Sequence, residues 1–132
     1  MRIYLTHCSK EKDPSLKGTG IAVTPNQLYT NCDIQNFMQR CHIKNVNWGI
    51  LSDLYGVYLA KERHVWYEKH PDTVTIEEKK LIIQDFDDKL SLYNEILFFA
   101  RPRTFHPFYK KVLRETDLCK RIQVFYEITR IE

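Results

Sequence analysis

The chain has 132 residues, of which 43% are hydrophobic and 28% charged, and its formal net charge is +3 at pH 7. This length and composition predict one globular domain with a sizeable core. The positive charge permits an anionic partner but is milder than that of most dedicated nucleic-acid-binding domains, and the small number of glycines, 4 in all, argues against a glycine-rich phosphate-binding loop.

The sequence carries no sign of a membrane or secreted protein. No apolar run approaches the roughly 18 residues that a membrane-spanning helix needs, and the first residues are typical of a strand rather than of a signal peptide. The cysteines form no CxxC pair and show no regular spacing. We therefore expect reduced thiols and a cytoplasmic protein without a membrane partner.

A strand, a helix and a second strand are predicted in the first half of the chain. Either Thr30 or Asn31 can cap a helix that runs from Asp33. Its buried face is indicated by apolar residues at i, i+3, i+4 and i+7, which are Ile34, Phe37, Met38 and Cys41. Short apolar runs predict the strands at 2–7 and 46–51, and the segments 8–24 and 57–72 are interpreted as irregular.

Two helices and two further strands are predicted in the second half. Thr75 and Glu78 form a capping box that opens one helix, and apolar spacing over 105–113 indicates the other. Strands are predicted at 96–100 and 121–130. This alternation predicts an α/β fold: one three-layer domain over 1–132, with a mostly parallel sheet of about four to five strands and helices on both faces.

Polar residues follow the first two predicted strands. Ligands of open α/β sheets bind in the crevice at the carboxyl ends of the strands, so this edge is the predicted site. We expect Ser9 and Ser52 to share one shallow pocket there, because neighbouring strands lie roughly 4.8 Å apart. One wall would be formed by Cys8, Ser9, Lys10 and Lys12, and the other by Ser52, Tyr55 and Gly56.

Basic side chains also follow predicted strand ends. They are Lys10, Lys12, Lys17, Arg101 and Arg103. A parallel sheet would gather them on one edge, where they would suit a phosphate or carboxylate ligand. The alternative is a solvated loop whose charges only maintain solubility.

Four aromatic residues are candidates for stacking on a base: Tyr29, Tyr55, Trp66 and Tyr67. Aromatic faces bind bases with little sequence preference. The alternative is that they belong to the core, which is where most aromatic side chains of a small α/β domain lie.

Two further chemistries can be weighed against the spacing of the residues. A cysteine phosphatase would use Cys8 as its nucleophile, but the required arginine six positions later is Pro14 here. A zinc site could be assembled from Cys8, Cys32, Cys41 and His42, yet these spacings match no standard ligand pattern. Neither a metal nor another cofactor is therefore expected.

Several short motifs resemble a family of small uncharacterised α/β proteins from bacteria, archaea and phages. The motifs are Cys8-Ser9-Lys10-Glu11-Lys12, Leu28-Tyr29-Thr30, Ile50-Leu51-Ser52-Asp53-Leu54-Tyr55-Gly56, Tyr67-Glu68 and Phe99-Ala100-Arg101. The core domain of archaeosine synthase has a similar Cys-Ser-x-x-Lys segment, and the YaaA family has a similar Leu-Ser-x-Leu-Tyr-Gly stretch. Two departures stand out: Arg101 replaces a turn glycine, and Glu68 stands where aspartate is usual.

The resemblance implies a nucleobase, nucleotide or nucleic-acid ligand, and base modification as one activity. Under it, Cys8, Ser9, Lys12 and Ser52 are the candidate catalytic residues. The candidate ligand-binding residues are Lys10, Tyr29, Tyr55, Gly56, Tyr67, Glu68 and Arg101. A non-catalytic module that binds nucleic acid or a protein is the alternative, so whether the chain is an enzyme stays open, as does its oligomeric state.

Overall fold

Five strands form one mixed sheet with the spatial order β3-β2-β1-β4-β5. The computed structural model describes residues 1–101 and 105–132. The strands are β1 (Arg2–His7), β2 (Asn47–Ser52), β3 (Gly56–Leu59), β4 (Glu95–Phe99) and β5 (Ile122–Phe125). All neighbouring pairs are parallel except β2 and β3, which form an antiparallel hairpin. The predicted α/β class and mostly parallel sheet are therefore confirmed.

Four α-helices accompany the sheet within the described residues: α1 (Pro25–Leu28), α2 (Cys32–Lys44), α3 (Ile76–Leu90) and α4 (Pro107–Glu115). Asn31 caps α2, because its side chain accepts hydrogen bonds from the amides of Asp33 and Ile34. The predicted capping box of Thr75 and Glu78 opens α3. Both caps satisfy amides that the first turn of a helix leaves without partners.

The core is continuous across the central strands. Residues 3–7 of β1 are buried, because this strand lies between β2 and β4. The Phe37 ring of α2 stacks on Phe99 of β4 with centroids 6.0 Å apart. Near the carboxyl end of β1, the ring of His7 stacks against Tyr109 of α4, 5.1 Å away. Aromatic packing thus ties two helices to the sheet.

Two predicted segments differ in the structure. The segment 57–72 is not irregular throughout, because its first residues complete β3. The last strand is shorter than the predicted 121–130, since residues 128–130 form a turn of 3₁₀-helix. Arg40 of α2 holds that turn by donating hydrogen bonds to the carbonyls of Thr129 and Ile131, at 3.2 and 3.1 Å. These bonds attach the end of the chain to α2.

Residues 102–104 lie outside the described part of the chain, and the predicted basic residue Arg103 is one of them. Among the residues that are described, no helix has both the length and the apolar character needed to cross a membrane.

Candidate functional site

The carboxyl ends of β1 and β2 bring the two predicted motifs together. His7 is paired with Leu51 in the sheet, and the Cys8 amide donates a hydrogen bond of 3.0 Å to the Leu51 carbonyl. Cys8 and Ser52 consequently occupy the same edge, as expected from a parallel pair. Polar side chains are buried around this point, which is unusual unless they hydrogen-bond to one another.

Cys8 is buried beside the side chains of Tyr109 and Asp53. Its Sγ atom is 3.0 Å from the Tyr109 hydroxyl and donates to Asp53 Oδ1 at 3.6 Å. Burial, followed by the nearby carboxylate of Asp53, raises the pKa of Cys8 to about 11. The side chain is only 7% exposed. At neutral pH Cys8 is therefore a neutral hydrogen-bonding thiol. Nucleophilic attack would require the thiolate instead.

A chain of three hydroxyl groups runs beside Cys8. Ser52 Oγ donates to the Tyr67 hydroxyl at 3.0 Å, and that hydroxyl lies 2.7 Å from the one of Tyr29. Ser52 Oγ also accepts from the amides of Leu54 and Tyr55, both at 3.1 Å, which fixes the turn between β2 and β3. Burial raises the pKa of both tyrosines well above the usual value. All three groups therefore stay protonated near neutrality.

Lys12 brings a positive charge to this network. Its side-chain nitrogen lies 4.3 Å from the centre of the Tyr67 ring, in a cation–π contact. Burial lowers the pKa of Lys12, while Cys8, Asp53 and Glu68 oppose that effect. Burial likewise raises the pKa of Asp53, and Lys12 opposes it. An ammonium group and a carboxylate thus share one largely dry environment, in which protons can be exchanged or an anion attracted.

His7 and Arg101 form the adjoining part of the cluster. Arg101 donates to the His7 carbonyl at 3.3 Å and to Asn31 Oδ1 at 2.8 Å, and its Nη2 lies 3.1 Å from His7 Nδ1, so it connects β1 with the cap of α2. Burial, and secondarily the charge of Arg101, lowers the pKa of His7 to about 4. His7 is consequently neutral at physiological pH.

The other predicted site residues lie at the margin of the cluster. Ser9 is partly buried, and its Oγ accepts a hydrogen bond of 3.2 Å from the Glu11 amide. Lys10 and Glu68 are exposed. Tyr55 is half-buried; its ring packs edge-on against Tyr67 at 4.9 Å, and its hydroxyl donates to the Val65 carbonyl at 2.9 Å.

Gly56 has a structural part in the same region. It is paired with Ser52 in the β2–β3 hairpin and has a positive φ of 73°. A Cβ atom at this position would come within 2.8 Å of Asp85 Cγ in α3. The absence of a side chain therefore allows the hairpin to approach α3 closely.

The structure thus brings together five of the predicted site residues, with Arg101 beside them. These five are Cys8, Lys12, Tyr29, Ser52 and Tyr67. Asp53, Tyr109 and His7 belong to the same cluster but are not among the site residues that the sequence predicts. Asp53 lies inside the second motif and could have been chosen, whereas Tyr109 is 101 positions from Cys8 and had only its helical spacing as a signal.

A groove in the described part of the chain lies elsewhere. It encloses about 920 Å³ and is lined by Asn47, Trp48 and Tyr93, which stand at the amino ends of β2 and β4. None of the clustered polar residues lines it. We place the candidate site at the carboxyl edge nevertheless, because the buried titratable groups are concentrated there. A pocket shared by Ser9 and Ser52 stays a prediction.

Neither a metal-binding group nor a related protein helps to identify the ligand of this site. Among residues 1–101 and 105–132, no group of three or more His, Cys, Asp or Glu side chains could hold a metal ion. The chain matches no family model, no curated protein and no solved structure.

Proposed function

We propose that this chain is a nucleotide- or nucleic-acid-related domain that binds a nucleobase-containing anion at the carboxyl ends of β1 and β2. The observation that carries the proposal is the buried ammonium group of Lys12, placed over Tyr67 and beside Cys8 and Asp53. A buried cation within a group of perturbed acids is typical of a functional site rather than of a solvated loop.

Two exposed lysines, Lys10 and Lys17, extend this site toward solvent. Lys10 follows β1 and is exposed, and Lys17 places its ammonium nitrogen 5.1 Å from the centre of the Trp66 ring. Positive charge beside aromatic rings suits both parts of a nucleotide, since phosphate is attracted by lysine and a base stacks on an aromatic face.

Binding is better supported than catalysis. The thiol of Cys8 is held neutral by burial, and its neighbours Tyr67 and Tyr109 are protonated as well. Base modification by Cys8, Ser9, Lys12 and Ser52 would require the proton of the thiol to move to a base, for which the Asp53 carboxylate at 3.6 Å is placed. The non-catalytic binding module is accordingly our first proposal, and the base-modifying enzyme is the second.

We further propose that the domain has three layers, with helices on both faces of the sheet. We infer that α2 covers one face of the sheet and α4 the other, because Phe37 contacts Phe99 whereas Tyr109 contacts His7. Phe99 is paired with Thr6, whose side chain points opposite to that of its neighbour His7. We also propose a cytoplasmic protein related to the archaeosine synthase core domain and the YaaA family.

Fluorescence anisotropy with labelled short single strands, competed by free nucleotides, tests the proposal. We expect binding at low ionic strength that weakens with salt, because binding to phosphates releases counterions. The variant Lys10→Ala/Lys12→Met should weaken it, the methionine preserving much of the buried volume. The control Lys44→Ala/Lys120→Ala removes two exposed lysines outside the cluster and should bind more tightly than the first variant. Absent binding, or equal loss in both variants, would contradict the proposal.

A further inference from the structure

The two edge strands of the sheet, β3 and β5, differ in whether side chains hydrogen-bond to their outer backbone groups. At β3, the Val57 amide donates to Asp85 Oδ2 at 2.8 Å, and the Val57 carbonyl accepts from Lys89 at 2.7 Å. The Leu59 amide donates to Glu62 at 2.7 Å. These side chains occupy backbone groups that another strand would need, which is a known way of blocking an edge.

The outer edge of β5 has no such cover among the described residues. Phe125 directs its carbonyl toward β4, where it accepts from the Ala100 amide at 2.9 Å. In a parallel pair, the N–H and C=O of one residue point to the same side and alternate along the strand. Val124 therefore directs both groups away from β4. No side chain of the described residues hydrogen-bonds to them, and Val124 is 40% exposed.

We propose that β5 pairs with β5 of a second copy of this chain, in antiparallel register about a two-fold axis at Val124. A two-fold pair brings the same surface of both copies together. In this register the Val124 amide and carbonyl of one copy bond those of the other. Ile122 then faces Tyr126, which is 57% exposed, and these are apolar and aromatic cross-strand pairs of the kind that stabilise sheets.

Charge complementarity supports this register and this occupant. When this register is continued past both ends of β5, Arg121, the last residue of a 3₁₀ turn, comes opposite Glu127 of the other chain, once on each side of the axis. Both residues are exposed. A β5 of four residues makes a small interface, so we expect a dimer that dissociates on dilution.

Sedimentation velocity over a wide concentration series tests the proposal. The wild-type chain should shift from monomer to dimer as its concentration rises. Val124→Pro should remain monomeric with an unchanged β4–β5 ladder, because the amide it removes points outward. Val124→Thr, which keeps that amide, is the matched control and should dimerise. A wild-type chain that is monomeric throughout, or a Val124→Pro variant that dimerises like it, would overturn the proposal.

A charge reversal supplies a second measurement in case Val124→Pro folds poorly. Glu127→Arg should weaken the dimer, because it places like charges opposite each other, and Arg121→Glu/Glu127→Arg should restore it. Thermal unfolding of each variant checks that the monomer keeps its stability. This control is needed because Arg121 also donates hydrogen bonds of 2.8 and 3.1 Å to the carbonyls of Ser91 and Tyr93 in its own chain. Equal dimerisation of the wild type and Glu127→Arg would contradict the register.

Discussion

Individual residues at the carboxyl edge show how burial changes chemistry. Cys8 and Lys12 stand four positions apart on the same loop, yet burial raises the pKa of one and lowers that of the other. Both shifts have the same cause, since a low dielectric disfavours whichever form is charged. A sequence motif identifies these residues, but only the packing around them determines their protonation.

The burial of Cys8 leads to a prediction about thiol reactivity. Cys32 and Cys119 are exposed, whereas Cys8 and Cys41 are buried with pKa values raised to about 11 and about 12. Since alkylation requires an accessible thiolate, iodoacetamide at neutral pH should modify Cys32 and Cys119 first. Mass spectrometry of peptides after timed reactions measures this order, and denaturant should make all four react alike. Rapid modification of Cys8 in the folded chain would show that the site is open.

Helices and strands that are defined by local patterns can be predicted from the sequence. Strands β1, β2 and β4 are short apolar runs, and α2 and α3 combine caps with helical spacing, so each could be identified. The hairpin strand β3 could not, because it depends on a close contact between Gly56 and α3. Strand β5 ends earlier than the sequence predicts, and the residues that follow it are held by Arg40, about ninety residues earlier in the chain.

The residues of the candidate site differ in how far the sequence predicts them. Residues within the strand-end motifs could be predicted, since a parallel sheet gathers the ends of its strands. Tyr109 could not, because a helix distant in sequence delivers it to Cys8. Asp53 lies within one of these motifs, but its part in the site follows from its burial, which the sequence does not display.

The hairpin at Gly56 provides a prediction with an internal control. Gly20 has a similar positive φ of 70° but open space where a Cβ atom would stand. Gly20→Ala should therefore lower the free energy of unfolding by about 1 kcal/mol, the cost of a left-handed alanine. Gly56→Ala should lower it by about 3 kcal/mol, because Asp85 must also move and its bond to the Val57 amide is lost. Urea unfolding compares the two, and equal losses would exclude the close contact.

Buried ionisable groups link the stability of this protein to pH. His7 titrates near pH 4 when folded and near pH 6.5 in an unfolded chain. The unfolded state thus binds more protons between these values, so the contribution of His7 is complete above pH 6.5 and decreases as the pH falls toward 4. This contribution should fall by about 2 kcal/mol between pH 7 and pH 5.

Urea unfolding of the wild type and His7→Asn at several pH values measures this contribution. The asparagine retains a side-chain acceptor for Arg101 but does not titrate. Subtracting the free energy of unfolding of His7→Asn from that of the wild type cancels the contributions of other groups. One of these is Asp53, whose raised pKa acts in the opposite direction. That difference should shrink as the pH falls from 6.5 to 4. A difference that is constant over this window would mean that His7 titrates normally in the folded protein.

The two tryptophans give the molecule a separate optical reporter at each end of its sheet. Trp48 is the second residue of β2, at the amino edge, with its ring 6.4 Å from that of Phe37. Trp66 lies beneath the ammonium group of Lys17 and next to Tyr67. Replacing Trp48 with phenylalanine would leave a single indole beside the polar cluster, and replacing Trp66 would leave one at the far edge. Emission wavelength in these two variants would thus distinguish events at the two edges without any attached dye.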